Sequence, residues 1–551
     1  MLRYRWIFLV AVFCCPSCSS APDGSGAAAD IDGKRIAAHT EYLASDELQG
    51  RAPGTEGEAR ATEYIAEQFA LAGAEPAGDN GYFQQVPLVA IAPTPETTLT
   101  WGPAGTENTV AWADGFVALS HRQQEDVALD ADVVYVGHGI VAPEFNWDDY
   151  KGVDVSGKIV LLFTNEPPSD DPGFFGGSAL TYYGRWSFKY EEALRHGAAG
   201  VLIVHTDDTA GYPWSVVRNS WGGRNPHVKL APGEEALGLA GWTTGEAGQQ
   251  ILQQSSTTSG MSLDDLLALA NQSDFTPIPL DLKLRSRLIS EVEEFETRNV
   301  VAKIEGSDPT LRDQAVLFSA HWDHLGVGEP DEYGDTIFNG AVDNATGCAV
   351  ILEIARAFGQ LETKPARTII FASVGAEEGG LRGSAYYAQH PVIPVGQTAV
   401  NLNFDGFLPT PVTESISLVG YERTTLKGLV ESVASEFAYD LDPDPNPEQG
   451  YYYRSDHFSL AKVGVPAFSV SLGNRVVGKP EGWGAEQEAA YRDDRYHRQA
   501  DNFDPAWDFS GLEKLAMFGF ELGRRIADSP DLPTWQPGDE FLPAREASWQ
   551  D

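Results

Sequence analysis

Histidines and carboxylates stand at the ends of apolar segments in the second half of this sequence. The residues that share this placement are His321, Asp343, Glu377, Glu378, Asp405 and His457. Imidazole and carboxylate ligands without cysteine suit zinc, and a carboxylate shared by two ions holds them close together. Ions roughly 3.5–4 Å apart can act on both the attacking and the leaving oxygen of a hydrolysed bond. These residue types therefore indicate a two-metal hydrolytic site.

Alternating strands and helices are predicted to position these residues. The apolar runs VLFSAH, TIIFASV, AVNLNFD and AFSVSL are typical of buried strands, and VILEIARAF and LEKLAMFGFELGRRIA are typical of helices. This alternation predicts an α/β fold with a mixed, mostly parallel sheet that helices cover on both faces. Ligands of open α/β sheets bind at the carboxyl ends of the strands, where His321 and Asp405 stand.

Composition excludes one class of partner. The chain has 551 residues, 42% of them hydrophobic, which is enough for a large core and two or three domains. It carries 80 acidic against 38 basic residues, for a formal net charge of −42. Because nucleic-acid binding needs Lys and Arg to neutralise phosphates, this balance excludes nucleic acid as a partner.

The first residues are typical of an export signal. Arg3 and Arg5 precede the apolar run WIFLVAVF, which is shorter than the roughly 20 residues that span a membrane. Cys18 follows as the best acceptor for a lipid anchor, so residues 1–18 are predicted to be a lipoprotein-type signal and 19–30 a flexible tether. We expect an exported protein of the periplasm or cell envelope, an outer-membrane lipoprotein; the alternative is cleavage and secretion.

Five motifs resemble, in order, those of the M28 family of zinc aminopeptidases. They are HWDH, NGAVDNATG, GAEEGGLRGS, NLNFDG and RSDHFSLAKVGVPAF, and DELQGRAPGTEGEARATEYIAEQF near the start is also similar. The resemblance implies a zinc exopeptidase fold built from residues 31–124 and 286–530, with an irregular tail at 531–551. It also implies peptide substrates and two Zn²⁺ ions.

The resemblance also implies a role for each site residue. His321 and Asp405 are expected to hold one zinc, Glu378 and His457 the other, and Asp343 both. Glu377 is the expected general base, taking a proton from a water shared by the metals and returning it to the leaving amine. Asp323 is expected to orient His321, and the Asp343–Asn344 peptide bond to be cis.

The middle of the chain, residues 125–285, resembles an inserted, β-rich protease-associated (PA) domain. The matching stretches are VVYVGHGI, DYKGVDVSGKIVLLF and EEALRHGAAGVLIVH. Such domains are thought to shape substrate access in peptidases. No metal-like clustering of His and Asp is evident there, so we expect no chemistry from it.

Several interpretations stay open. An aminopeptidase is expected first, and a metallocarboxypeptidase of the same family, with Arg382 or Arg454 meeting a substrate carboxylate, is the alternative. A non-catalytic protein that binds through the PA domain would have lost a ligand or the base, and none is missing. His324 is interpreted as a loop residue beside the substrate, because the ligand set is complete without it.

Overall fold

The structure is a computed structural model that describes residues 30–103 and 107–550. The expected signal at 1–18, with Cys18, and all of the expected tether except Asp30 lie outside the described residues. No helix within the described ranges is long and apolar enough to cross a membrane.

Two capped helices open the described chain. They precede two strands: α1 Gly33–Leu43, α2 Glu56–Leu71, β1 Glu75–Pro76 and β2 Phe83–Pro93. The side chain of Asp32 accepts a hydrogen bond from the amide of Lys34, and that of Thr55 accepts one from Glu58, so each helix begins on a capping residue.

The middle of the chain forms a sheet of its own with short helices. Its strands are β3 Thr98–Trp101, β4 Asn108–Val110, β5 Phe116–Leu119, β6 Asp126–Tyr135, β9 Ile159–Phe163, β10 Gly200–His205 and β12 Leu239–Thr244. In the same region β7 Val141–Ala142 and β8 Trp147–Asp148 pair with each other, and β11 Asn225–Val228 pairs with β2. Its helices are α3 Trp186–Arg195, α4 Asp207–Ala210, α5 Trp214–Trp221, α6 Gly245–Gln254 and α7 Leu263–Ala270. Strands β6, β9, β10 and β12 pair in parallel.

One long strand joins this sheet to the next one. Strand β13, Ile278–Ile304, has 27 residues; its first half pairs with β3 and β6, and its second half pairs with β2. The middle sheet therefore begins before the expected boundary at residue 125, since β3 to β5 belong to it, and its end at 285 falls inside a continuous strand.

The remaining elements complete a mixed sheet and its covering helices. They are β14 Ala315–His321, β15 Gly326–Val327, β16 Ile337–Phe338, α8 Thr346–Gly359, β17 Thr368–Val374, α9 Arg382–Gln389, β18 Thr398–Phe404, β19 Ser415–Val419, α10 Lys427–Glu436, β20 Asp440–Asp442, α11 His457–Lys462, β21 Ala467–Leu472, α12 Trp483–Asp494, α13 Ser510–Asp528 and α14 Leu542–Ser548. The order is β2-β13-β17-β14-β18-β21-β19-β20, and β17, β14, β18 and β21 are parallel. The predicted mixed, mainly parallel sheet is confirmed.

Burial on both faces explains why these central strands are mostly apolar. Phe318 of β14 packs with Phe358 of α8 and the apolar face of α13, whereas its neighbour Leu317 lies in the cluster that contains Tyr387 of α9 and Leu460 of α11. Successive side chains of a strand point to opposite faces, so helices cover both sides of the sheet. This rigid core fixes the strand ends that carry the polar residues.

The tail after residue 530, which was expected to be irregular, has no helix or ladder strand over residues 531–541, but it packs against the rest of the protein and then forms a short helix. Trp535 is 1% exposed and Phe541 3% exposed, and α14 follows them. Arg423 pairs with Asp539 and Glu540 at 2.7 Å each, and Glu540 accepts a hydrogen bond from the amide of Tyr182 at 2.8 Å. The large aromatic residues give the tail enough apolar surface to pack, and its carboxylates join it to the middle sheet's loops.

Candidate metal centre

Three parallel strands deliver the polar residues to one edge of the sheet. His321 ends β14, Asp405 follows β18, and the loop after β17 carries Glu377 and Glu378. Asp343 lies in the segment just before α8, and its peptide bond to Asn344 is cis, as expected. The sheet therefore brings together carboxylates and a histidine that are far apart in sequence.

Two of these carboxylates flank His321. Its Nε2 atom lies 3.1 Å from Oδ1 of Asp405 and 3.2 Å from Oδ1 of Asp343. His321 is 1% exposed. Ser455 donates a 2.5 Å hydrogen bond to the other oxygen of Asp405, which fixes the orientation of that carboxylate. The three side chains form the first half of the centre.

The second half of the centre uses the other oxygen of Asp343. His497 places its Nε2 atom 3.2 Å from Oδ2 of Asp343 and 3.1 Å from Oε2 of Glu378. Asp343 thus presents one oxygen to each half, which is the arrangement that a shared carboxylate requires. We call His321, Asp343, Glu378, Asp405 and His497 the carboxylate–histidine cluster.

His457, the second histidine ligand expected from the sequence, is not part of this cluster. It begins α11, is 0% exposed, and packs edge-on against Tyr452 with ring centroids 4.6 Å apart. Burial lowers the pKa of His457 to about 3, so it is a neutral core residue. The RSDH motif contributes Ser455 to the site instead, because the helix turns His457 into the core.

His497 was missed because its position depends on tertiary contacts. It lies in the loop between α12 and α13, with its ring stacked on Tyr496 at 3.9 Å. Asp501, further along the loop, accepts hydrogen bonds of 3.2 Å from the amides of Val342 and Asp343, which anchors the loop beside the cluster. The available signal was a histidine in the polar segment YHRQADNFD after the last strand of the parallel set.

Asp323 supports the cluster differently from the expectation. The Nδ1 atom of His321 lies 3.1 Å from the backbone carbonyl oxygen of Asp323 and 3.8 Å from its carboxylate. The carboxylate itself accepts hydrogen bonds from the amides of Glu377 at 3.0 Å and Glu378 at 3.3 Å. Its backbone therefore orients His321, while its side chain holds the loop of the two glutamates.

His324 contacts the cluster, although the sequence interpretation placed it in a loop beside the substrate. Its Nδ1 atom lies 2.6 Å from Oε1 of Glu378, the oxygen that His497 does not contact, and the residue is 1% exposed. His324 holds the Glu378 carboxylate so that its second oxygen is directed toward Asp343 and His497.

Glu377 lies beside the cluster on the wall of a cavity of about 480 Å³. Burial, reinforced by the negative charges of Glu378 and Asp405, raises the pKa of Glu377 well above its usual value. The same cavity is lined by apolar side chains, by aromatic residues and by two arginines: Phe407, Leu408, Leu472, Val476, Tyr451, Tyr496, Arg454 and Arg492.

The donor set fits divalent metal ions. Asp343, Glu377, Glu378 and Asp405 place four carboxyl groups together at this edge of the sheet, with only the imidazoles and no Lys or Arg side chain paired to them in the described residues. Like charges at this separation repel strongly unless positive charge is bound between them. Oxygen and imidazole ligands in two groups of three that share Asp343 suit zinc.

Comparisons with known proteins relate part of the chain to a peptidase family. Residues 299–516 match the family model "Peptidase family M28". The chain is 26% identical over 287 residues to leucine aminopeptidase 2 of Trichophyton rubrum, covering 50% of this chain and 54% of the relative. It is also 37% identical over 109 residues to a vacuolar membrane protease of Meyerozyma guilliermondii, covering 20% of this chain and 10% of that protein.

The chain spans about half the length of the leucine aminopeptidases that it matches. Among solved structures, an aminopeptidase from Aneurinibacillus sp. strain AM-1 aligns with a TM-score of 0.48 at 18% identity, over 94% of this chain and 98% of that one. The stretch that matches Peptidase family M28, residues 299–516, contains every member of the carboxylate–histidine cluster.

Proposed function

We propose that this protein is a two-zinc aminopeptidase that removes N-terminal residues from peptides. The observation that carries the proposal is the position of Asp343 between two histidine–carboxylate groups, beside Glu377 and within one cavity. The family match and the relatives named leucine aminopeptidase support it.

In this proposal His321 and Asp405 would hold one ion, Glu378 and His497 would hold the other, and Asp343 would serve both. The ions, when bound, supply positive charge that lowers the pKa of water and polarises the carbonyl of the scissile bond. The protein's own contribution is to fix the ligands: Ser455 orients Asp405, and His324 orients Glu378.

Glu377 performs the proton transfer. Its carboxylate accepts the proton of the attacking water and returns that proton to the amine that leaves. Asp323 holds the amides of Glu377 and Glu378, so the base and a ligand keep a constant relative position. A positioned base of this kind contributes roughly 10²–10⁴-fold to the rate.

The cavity's apolar wall suits an apolar N-terminal residue. Phe407, Leu408, Leu472 and Val476 line the same space as His321. Burying an apolar side chain there removes its surface from water and favours such substrates. The preference is consistent with the name of the curated relatives.

Two further proposals concern the rest of the chain. The middle sheet is an inserted PA domain that shapes access to the cavity. Its loop at Leu180 supports this, because the amide of Leu180 donates a 3.0 Å hydrogen bond to the carbonyl of Pro447, four residues before Tyr451 of the cavity lining. Residues 1–18 direct export, with Cys18 the lipid-anchored residue of an envelope protein or, alternatively, with cleavage and secretion.

The metallocarboxypeptidase alternative has one specific observation in its favour. Arg454 and Arg492 line the cavity and could bind a terminal carboxylate. An assay with free-amine, N-blocked and C-terminal-type substrates separates the two activities.

We expect hydrolysis of aminoacyl arylamides with a free amine, loss of this activity with a chelator, and its recovery on adding zinc. N-acetylated versions of the same arylamides are the matched control and should not be cleaved. Cleavage only of substrates with a free terminal carboxylate would establish the carboxypeptidase instead. No turnover in protein shown to hold zinc would reject both.

A further inference from the structure

Two arginines stand on the wall of the proposed catalytic cavity. Arg454 and Arg492 line the same space as His321 and Asp343. Their guanidinium carbons lie 4.9 Å and 5.6 Å from the centre of the Tyr451 ring, and Arg492 donates a 3.0 Å hydrogen bond to the Tyr451 hydroxyl. One tyrosine thus holds both cationic groups at the cavity.

Direct pairing of these two arginines with carboxylates is sparse. Within the described ranges Arg454 has no carboxylate within 4.0 Å, and its Nη2 donates to the backbone oxygen of Gln449 at 2.7 Å. Arg492 pairs with Glu488 one helical turn earlier, at 2.7 Å, but the two side chains are 50% and 47% exposed, so this pair is weak. The absence of a carboxylate partner at Arg454 is notable in a chain with 80 acidic residues and 38 basic ones.

A third arginine increases the positive charge behind this wall. Arg185, from the middle sheet's loops, has a buried Nε atom without a hydrogen-bond partner. Burial, with a further contribution from the positive charge of Arg454, lowers the pKa of Arg185 to about 10. Two like charges therefore stand near each other, and no carboxylate of the described residues lies within 4.0 Å of either one.

We propose that Arg454 and Arg492 form a carboxylate subsite, so that the enzyme prefers peptides that carry a carboxylate beyond the scissile bond. The planar guanidinium donors match a carboxylate in a paired geometry, which makes arginine the usual residue for this recognition. The carboxylate is either the C-terminus of a short peptide or an acidic side chain. This inference rests on the proposed function, because its ligand is a peptide substrate.

Binding can be measured apart from turnover in zinc-loaded Glu377→Gln protein. Calorimetry would compare Leu-Gly-Gly with its C-terminal amide, and Leu-Glu amide with Leu-Gln amide. We expect the carboxylate member of at least one pair to bind roughly 10–100-fold more tightly, as for hydrogen bonds to charged groups. The pair that shows the preference identifies the source of the carboxylate.

Adding Arg454→Gln and Arg492→Gln together should reduce this preference to less than about twofold. Arg218→Gln, which changes an exposed arginine of α5 away from the cavity lining, should retain it. Zinc content and melting temperature are measured for each variant.

Two results would overturn the subsite. The first is equal binding of the two peptides within both pairs. The second is a preference for the carboxylate peptide that survives the double substitution, because the metal ions would then be the group that binds the carboxylate. Turnover of the same peptides by the unsubstituted enzyme is recorded separately. A preference that depends on the arginines without any turnover would reject the proposed peptidase activity and leave the subsite standing.

Discussion

Glu377→Gln is expected to lower kcat by about 10²–10⁴-fold while the protein keeps its zinc. The amide has nearly the same shape as the carboxylate but cannot accept the proton of the attacking water. Glu377 is in neither of the two proposed ligand groups, His321–Asp343–Asp405 and Asp343–Glu378–His497, so its replacement removes no proposed ligand. The backbone amide of residue 377 still donates to Asp323, and the loop should hold its position.

Steady-state kinetics with a free-amine arylamide, combined with elemental analysis of zinc, checks this expectation. Glu481→Gln is the matched control, because Glu481 is exposed and lies in the loop before α12. Activity within tenfold of the unsubstituted enzyme would reject Glu377 as the base. Loss of zinc would instead assign Glu377 as a ligand.

His497→Gln is expected to reduce bound zinc from two ions to about one per chain and to abolish most of the activity. His497 contacts both Asp343 and Glu378, so its removal opens the second half of the centre. Loss of an outer partner of a metal ligand costs roughly 10–100-fold in metal affinity or activity, and loss of a ligand should cost more.

The same substitution at His457 is the control for this assignment. His457→Gln changes a buried residue next to Tyr452, so it should lower the melting temperature but leave the zinc content at two. Elemental analysis of both folded variants, with circular dichroism to verify folding, gives the comparison. Zinc loss in the His457 variant together with full zinc in the His497 variant would contradict the arrangement.

The placement of His321, Asp343, Glu378 and Asp405 could be predicted from the sequence because short-range patterns determine it. An apolar run of a buried strand ends at a definite residue, and parallel strands place their carboxyl ends at one edge. The sequence therefore located the residues at or shortly after the ends of β14, β17 and β18.

His497 could not be placed in this way. Its loop follows a helix of weak amphipathic character, and it reaches the cluster because Asp501 binds the amides beside Asp343. His457 satisfied the same pattern of motif and helix start, yet its side chain points into the core. Which of the two histidines reaches the carboxylate–histidine cluster depends on tertiary packing at the edge of the sheet.

The boundary of the middle sheet also depends on pairing between strands that are far apart in sequence. Apolar and polar residues alternate along the 27 residues of β13. No turn residue marks the point at which this strand leaves the middle sheet and joins the mixed sheet. The tail illustrates the opposite difficulty. Its Pro and acidic residues predicted a segment without regular secondary structure. Trp535 and Phe541 nevertheless pack in an apolar cluster formed by residues that are distant in sequence.

The most direct test of the two-zinc centre is a crystal of the zinc-loaded protein, measured with X-rays on both sides of the zinc absorption edge. We predict two anomalous peaks, one among His321, Asp343 and Asp405 and the other among Asp343, Glu378 and His497. A single peak, or zinc bound at His457 with none at His497, would contradict the account.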